Sequence, residues 1–329
     1  MNGFFVAPEQ VSQFARRRVD VGAGHRVAVE NYITHGGEHS LRSVRKALDS
    51  HLVEAALITV PSPWQMVEVR ASVDSSNLEA LRDPLPWRVV VADHQSEGRG
   101  RLARQWLAPA GASIAVSAVV PVPPGRTADL GWLPLFSGMA MRAALSEVAG
   151  VDGRLKWPND VMVREPGTEG TEGTEGSAVD RLWLKISGVL CEMVPGGDLV
   201  VIGAGANITQ QRSELPVETA TSLALCGAGN VRREAVIAAY LRELAGLHRT
   251  WSAGGAGLAA LRTAYRACCL TIGLDVDVHQ PDGRVVRGVA TGVDDWGRLV
   301  VAADGTTSAH SAGDVVHVRR SQLGRGDTA

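Results

Sequence analysis

The chain has 329 residues, of which 45% are hydrophobic, and its formal net charge is -2. This length allows one large domain and one small domain around a buried core, and the near-neutral charge excludes a generally basic surface of the kind that follows a nucleic-acid backbone. No apolar run approaches the roughly 20 residues that cross a bilayer. The cysteines lack the spacing of a zinc site and are expected to be reduced, which favours the cytoplasm; they are Cys191, Cys226, Cys268 and Cys269.

The N-terminal third begins without a clear pattern and then alternates between helical and strand periods. Residues 1–39 show no sustained period and are predicted to form a mobile segment. Apolar residues from Leu41 to Leu52 recur at helical spacing, which predicts a short helix capped by Ser40. A half-buried strand is predicted over 64–69, a helix N-terminus after a strand end over 72–78, and a buried strand over 88–93.

The middle of the chain contains the longest predicted elements. They are a strand at 113–120, a helix at 130–148 that contains Pro134, strands at 181–193 and 199–208, and helices at 231–251 and 257–269. Residues 167–177 repeat Gly-Thr-Glu without an apolar period and are interpreted as a low-complexity surface insertion. From Thr271 short valine-rich runs separated by turn residues such as Asp304-Gly305 predict a small antiparallel barrel, and 321–329 are interpreted as a tail.

A glycine- and arginine-rich stretch follows the predicted strand 88–93. It runs from Gln95 to Trp106 and contains Gly98, Arg99, Gly100, Arg101 and Arg104. Glycine lets the backbone adopt conformations that are closed to other residues, and guanidinium groups make bidentate bonds to phosphate. The stretch therefore predicts an anion site, with a flexible basic loop as the alternative.

Two further segments combine polar side chains with a restricted backbone. In Lys156-Trp157-Pro158-Asn159-Asp160, the proline fixes its own φ and restricts the residue before it, which predicts a rigid turn that displays polar groups. Lys185 lies close to Gly188 in the next predicted strand. The stretch Gly203 to Asn207 lacks the third glycine of a dinucleotide fingerprint and is interpreted as a strand end where a ligand approaches the backbone.

In this order, with Ser75-Ser76-Asn77 before them and a small β-domain after them, these segments resemble the biotin protein ligases. The resemblance covers the chain from about Ser40 onward and is carried above all by the Gly-Arg-Gly-Arg stretch and the Lys-Trp-Pro-Asn-Asp pentapeptide. It implies an α+β fold: a central mixed or antiparallel sheet flanked by helices, as in a biotin/lipoyl ligase-like catalytic domain, over 40–269, and a C-terminal SH3-like β-barrel over 270–320. Ser76 stands where this family commonly has threonine, and Ala103 where it commonly has glycine.

The resemblance also implies the activity and the site residues. Biotin would react with ATP, with Mg²⁺ present, to give biotinyl-5′-AMP and pyrophosphate, and the biotinyl group would pass to a lysine of a biotin carboxyl carrier domain. The catalytic residues would be Arg99, Arg101 and Lys185. Biotin would be bound by Ser75, Ser76, Asn77, Gln95, Arg99, Arg101, Trp106, Lys185 and Gly188. The nucleotide would be bound by Arg101, Arg104, Trp106, Lys156, Asn159 and Asn207, and the metal by Asp160.

Three other functions remain open at this stage. A lipoate-type ligase is the nearest alternative, but the glycine-triplet histidine loop of that group is missing from the sequence. A ligase that is also a DNA-binding repressor would need a three-helix module, whereas residues 1–70 predict one helix, so we expect a monofunctional enzyme without a nucleic-acid partner. The third alternative is an inactive biotin-binding protein, and a homodimer is left open.

Overall fold

A seven-stranded sheet is the central element of the computed structural model, which describes residues 45–58, 62–166, 183–280, 282–311 and 314–317. The strands are β1 (Met66–Arg70), β2 (Arg88–Ala92), β3 (Ser113–Pro121), β4 (Gly153–Lys156), β5 (Asp160–Val163), β6 (Leu184–Met193) and β7 (Leu199–Asn207). Their order across the sheet is β1-β2-β3-β7-β6-β5-β4. Strands β1 and β2 are parallel and the other neighbours are antiparallel, so the predicted mixed sheet is confirmed.

Five α-helices belong to the described part of the chain: α1 (Ser50–Ile58), α2 (Ser76–Arg82), α3 (Leu133–Ala149), α4 (Arg233–Ala253) and α5 (Gly255–Cys268). Pro134 lies in the first turn of α3, where a missing N–H leaves no helical bond unmade. The helix ends at Gly150, whose φ of 66° suits glycine. The helices predicted over 130–148, 231–251 and 257–269 therefore form, with their ends displaced by a few residues.

The two faces of the sheet have different coverings. On β3, Ile114 and Val116 belong to the large core that includes residues of α3 and α4. The alternate residue Val119 belongs to a small cluster on the other face, together with Ala80 of α2. Since successive residues of a strand point to opposite faces, one face is buried under the long helices and the other lies under α2.

The predicted helix from Ser40 is wrong over its described part, because residues 45–49 are not helical and α1 begins at Ser50. Asp49 ends the non-helical segment: its Oδ1 accepts the N–H of His51 at 3.0 Å, as a helix-capping residue does. Arg45 is fixed by donating to Thr209 Oγ1 at 2.9 Å. Tertiary hydrogen bonds therefore override the helical spacing of the apolar residues.

The C-terminal residues form a five-stranded antiparallel sheet, with β8 (Asp275–His279), β9 (Val285–Val293), β10 (Leu299–Ala303), β11 (Thr306–His310) and β12 (Asp314–His317) in the order β11-β10-β9-β8-β12. Asp304 and Gly305 both have positive φ, as a two-residue hairpin turn requires. The small C-terminal β-domain is thus confirmed, and the domain boundaries at 40, 270 and 320 stay a prediction. The predicted mobile segment 1–39, the insertion 167–177 and the tail 321–329 lie outside the described residues.

None of the helices in the described ranges has both the length and the apolar character needed to cross a membrane.

Candidate active site

A cavity of about 530 Å³ opens on the α2 side of the large sheet. Fourteen residues that the sequence assigns to a site line it together: Ser75, Ser76, Asn77, Gln95, Arg99, Arg101, Arg104, Trp106, Lys156, Asn159, Asp160, Lys185, Gly188 and Asn207. Segments separated by more than a hundred residues in sequence therefore meet around one space.

The floor of the cavity consists of small residues on neighbouring strands. Gly205 of β7 pairs with Ala115 of β3 on one side and with Gly188 of β6 on the other. A Cβ at Gly205 would lie 2.6 Å from Cε2 of Trp106, and a Cβ at Gly203 would overlap the amide of Asn77. The stretch from Gly203 to Asn207 is the second half of β7, which ends at Asn207, so its interpretation as a strand end is confirmed. Gly203 and Gly205 are needed because two side chains of the protein itself approach the backbone, and the approach of a ligand there stays a prediction.

The start of α2 holds the predicted biotin residues. Ser75 is the N-cap of α2, and Ser76 and Asn77 are almost fully buried in its first turn. The backbone N–H of Ser76 donates to Gln95 Oε1 at 2.7 Å, which connects the helix to the beginning of the arginine-rich stretch. Polar groups of two segments are thus held side by side at one end of the cavity.

Two residues that the sequence did not single out hold Asn77 at this end of the cavity. Glu192 of β6 accepts from Asn77 Nδ2 at 2.9 Å, and Ser117 of β3 donates to Asn77 Oδ1 at 2.6 Å. The available signal was a polar residue within a strand of mainly apolar residues: Ser117 stands between Val116 and Ala118 and is fully buried. A buried polar group of this kind needs a partner, and here the partner belongs to the site.

The arginine-rich stretch folds back on itself. Trp106 N donates to Gly98 O at 2.8 Å, and Gly100 N donates to Arg104 O at 2.7 Å. A Cβ at Gly98 would overlap the carbonyl oxygen of Trp106, so the close approach requires glycine there. Ala103 has a φ of 58°, in the left-handed region, where the resemblance leads us to expect glycine.

Positive charge dominates the cavity, since its described lining has five cationic side chains, Arg99, Arg101, Arg104, Lys156 and Lys185, and the single carboxylate of Asp160. Lys185 Nζ lies 2.6 Å from Asp160 Oδ1, and Arg99 Nη2 lies 3.0 Å from Glu192 Oε1. Burial lowers the pKa of Arg101, and the charge of Asp160 opposes that shift. Cations that are held partly away from water attract an anionic ligand more strongly than exposed ones do.

The pentapeptide turn joins the two sheets. Trp157 is buried, with its backbone N–H donating to Thr271 Oγ1 at 3.0 Å and its indole Nε1 donating to Gly297 O at 3.0 Å. The bond between Trp157 and Pro158 is cis. Asn159 Nδ2 donates to Val189 O at 2.8 Å, so the turn is anchored to both β6 and the C-terminal residues.

The far end of the cavity is formed by Asn207 and by residues that sequence reasoning missed. Asn207 Nδ2 donates to Thr221 O at 2.9 Å, and its Oδ1 accepts from Gln210 Nε2 at 2.8 Å. Both ends of this amide are therefore used in holding the loop after β7.

Val315 and Val316 of β12 also line the cavity, which shows that the C-terminal sheet contributes to the site.

The predicted metal site contains one carboxylate, that of Asp160. Among the described residues, no group of three or more His, Cys, Asp or Glu side chains is placed to hold a metal ion. Asp160 is the carboxylate of the cavity lining, and it pairs with Lys185. One carboxylate fits Mg²⁺ only when phosphate oxygens and water supply the other ligands, as is usual for nucleotide-bound Mg²⁺.

Comparison with known proteins gives consistent matches over most of the chain. Residues 72–208 match the model of the biotin/lipoate A/B protein ligase family, and residues 271–318 match that of the biotin protein ligase C terminal domain. A biotin--[acetyl-CoA-carboxylase] ligase of Mycobacterium tuberculosis is 36% identical over 284 residues, or 84% of this chain and 98% of that relative. The bifunctional ligase/repressor BirA of Escherichia coli is 28% identical over 256 residues, which cover 76% of this chain and 73% of BirA.

The fold is also similar to that of a solved biotin protein ligase. A biotin protein ligase from Aquifex aeolicus in complex with biotin and ATP superposes with a TM-score of 0.62 at 24% identity, over 78% of this chain and 99% of that one. The mixed sheet with a separate C-terminal β-domain is thus an architecture that this ligase shares.

Proposed function

Since this chain belongs to the biotin protein ligase family, we propose that its cavity joins biotin to ATP and delivers the biotinyl group to a lysine of a carrier protein. The observation that carries the proposal is the meeting of all fourteen assigned residues around one cationic cavity of about 530 Å³. The acceptor is the biotin carboxyl carrier domain of a carboxylase, as the name of the Mycobacterium tuberculosis relative suggests.

In the first step the two substrates are both anionic. A carboxylate oxygen of biotin attacks the α-phosphorus of ATP, an O–P bond forms, and pyrophosphate leaves. Arg99, Arg101 and Lys185 would offset the repulsion between carboxylate and triphosphate and hold the reacting atoms in line. Phosphate oxygens would compete with Asp160 for Lys185, and Asp160 would then be available to Mg²⁺, which neutralises triphosphate charge when bound.

In the second step the nucleophile comes from the partner. The neutral amine of the acceptor lysine attacks the carbonyl carbon of biotinyl-5′-AMP, an amide forms, AMP leaves, and the amine loses a proton to solvent. The protein needs no nucleophile of its own, and its task is to keep water from the mixed anhydride. The folded stretch from Gly98 to Arg104, together with Trp106, would cover the intermediate.

Pyrophosphate release in the presence of biotin and ATP tests the first step, and transfer of labelled biotin to a carrier domain tests the second. We expect both activities from the full chain, and we expect no release when lipoate replaces biotin. Release with lipoate and none with biotin would contradict the proposal. Binding of biotin without any release of pyrophosphate would instead identify an inactive binding protein.

A further inference from the structure

Glu192 and Ser117 form a chain of hydrogen bonds with two of the predicted biotin residues. The chain runs from Glu192 to Asn77, from Asn77 to Ser117 at 2.6 Å, and from Ser117 to Ser76, whose hydroxyl oxygens are 2.8 Å apart. Ser76, Asn77 and Ser117 are buried, with Ser117 fully inaccessible and Asn77 only 4% exposed, whereas Glu192 at the end of the chain is partly exposed. Buried hydrogen bonds have fixed partners, so the direction of each bond can be worked out.

The donor and acceptor of each hydrogen bond can be assigned by starting from Glu192. Arg99, which can only donate, contacts both carboxylate oxygens, at 3.0 Å and 3.4 Å. Both oxygens are therefore acceptors, and Asn77 must turn its amide nitrogen toward Glu192. The carbonyl oxygen of Leu190, also an acceptor, lies 3.2 Å from the same nitrogen. The Asn77 amide is thereby fixed in one orientation, with Oδ1 facing Ser117.

This orientation fixes the two hydroxyl groups. Asn77 Oδ1 has no proton, so Ser117 must donate its only proton to it. The proton between the two serines must then come from Ser76. As a result Ser76, which lines the cavity, presents only lone pairs to a ligand.

We propose that Glu192 and Ser117 are positioning residues that make Ser76 a dedicated hydrogen-bond acceptor, so that the site selects a ligand with an N–H group at that place. The inference rests on the proposed function and extends it to the choice of substrate: the cyclic urea of biotin carries such N–H groups. Gln95 supplies the complementary group: its Oε1 accepts the Ser76 N–H, so its amide nitrogen is the end that can donate to a ligand acceptor such as the ureido oxygen. A site with a fixed acceptor rejects an analogue that offers an acceptor in return.

The test compares biotin with its two cyclic carbamate analogues, in each of which one ureido N–H is replaced by an ether oxygen. Dissociation constants are measured by calorimetry on the full chain without ATP. We expect the wild-type protein to prefer biotin strongly over at least one analogue. In Ser117→Ala the proton of Ser76 becomes free to donate to the ether oxygen, so the preference should fall about tenfold, the equivalent of one hydrogen bond.

Variants of Glu192 separate its acceptor role from its charge. Glu192→Met removes an acceptor but leaves Leu190 O, so the preference should fall by a smaller factor, about threefold. Glu192→Gln keeps an acceptor oxygen for Asn77 and should restore the wild-type preference. The double variant Ser117→Ala/Glu192→Met should lose no more preference than Ser117→Ala alone, because both changes act through Asn77.

Ser137→Ala is the matched control, since Ser137 is also a fully buried serine with a side-chain partner, Tyr240, but lies in α3 away from the cavity. It should leave the preference unchanged. An unchanged preference in both Ser117→Ala and Glu192→Met would overturn the inference, and if Ser117→Ala does not fold, the two Glu192 variants decide alone. A wild-type protein that neither binds biotin nor releases pyrophosphate would instead reject the proposed function.

Discussion

Gly205 offers the sharpest test of how the cavity is built, through the substitution Gly205→Ala. The added Cβ would lie 2.6, 2.8 and 2.9 Å from three atoms of the Trp106 indole, whereas carbon atoms in contact are about 3.5–4.0 Å apart. The indole must therefore move by about 1 Å, and it cannot yield as the end of a flexible chain can. Overpacking of this kind costs about 1–3 kcal/mol of unfolding free energy.

The same displacement of the indole should also reduce activity. A displacement of about 1 Å in an active site can reduce the rate about a hundredfold, and Trp106 lies beside Lys185, whose Nζ is 5.9 Å from the ring centroid. Urea unfolding measures the stability, and pyrophosphate release measures the turnover number and the Michaelis constant for biotin.

Two other glycines serve as references for Gly205→Ala. A Cβ at Gly188 would be 3.2 Å from the flexible end of Lys185 and 3.4 Å from Trp106, so Gly188→Ala should be milder. Gly246 lies within α4, and apart from the helix's own nearby backbone no atom lies within 4 Å of an added Cβ, so Gly246→Ala should stabilise the protein by about 0.5–1 kcal/mol and leave activity unchanged. Wild-type stability and turnover in Gly205→Ala would refute the packing of Trp106 on the sheet.

Five further variants each change a single residue. Lys185→Ala should abolish most pyrophosphate release, while Arg99→Ala should let biotinyl-5′-AMP escape into solution; full activity in both, measured by release and by trapping of the intermediate, would contradict their roles. Trp157→Phe leaves the Gly297 carbonyl without its indole donor, so urea unfolding should show a loss of about 1–3 kcal/mol. Ala103→Gly removes the strain of a positive φ but increases the conformational entropy of the unfolded chain, so the free energy of unfolding should change by no more than about 1 kcal/mol. A larger loss would mean that Ala103 makes contacts that glycine cannot replace. Burial lowers the pKa of His248 from its ordinary value of 6.5, so as the pH falls the unfolded state takes up a proton before the folded state does. The free energy of unfolding should therefore decrease as the pH drops below about 6.5. If His248→Phe shows the same dependence of unfolding free energy on pH, this histidine is not its source.

The two main motifs of the candidate site were predictable because their chemistry is unusual in sequence, whereas residues such as Ser75 and Gln95 were assigned only through the family resemblance. Glycines alternating with arginines, and a proline between a tryptophan and an asparagine, have few structural uses, so both motifs pointed to a ligand. Ser117 and Glu192 carry no such signal, since each is one polar residue in a strand, and their importance depends on contacts with Asn77 across the sheet. The contribution of Val315 was equally hidden, because it depends on how the C-terminal sheet sits beside the turn at Trp157.

Some predicted roles also change in meaning once the hydrogen bonds are known. Asn77 and Asn207 were assigned to ligands, yet each amide already holds protein partners at both ends. Asparagine in a cavity wall can shape the site by orienting its neighbours as effectively as by touching the ligand. The sequence identifies the residue type and the place, and the contacts identify which of these two roles it has.

Strand β6 shows why the sequence pattern alone does not reveal that Lys185 faces the cavity. Residues of a regular strand alternate between faces, so Lys185 and Gly188, an odd number of residues apart, should face opposite sides. They share the cavity because the pairing with β5 shifts: Val161 pairs with Ser187, but Met162 pairs with Lys185, which leaves Ile186 as an extra residue. Ile186 belongs to the helix-side core, while Lys185 reaches the cavity. A β-bulge therefore directs the lysine toward Asp160 and the cavity, as bulges beside active sites do, and no pattern of apolar residues in the sequence predicts it.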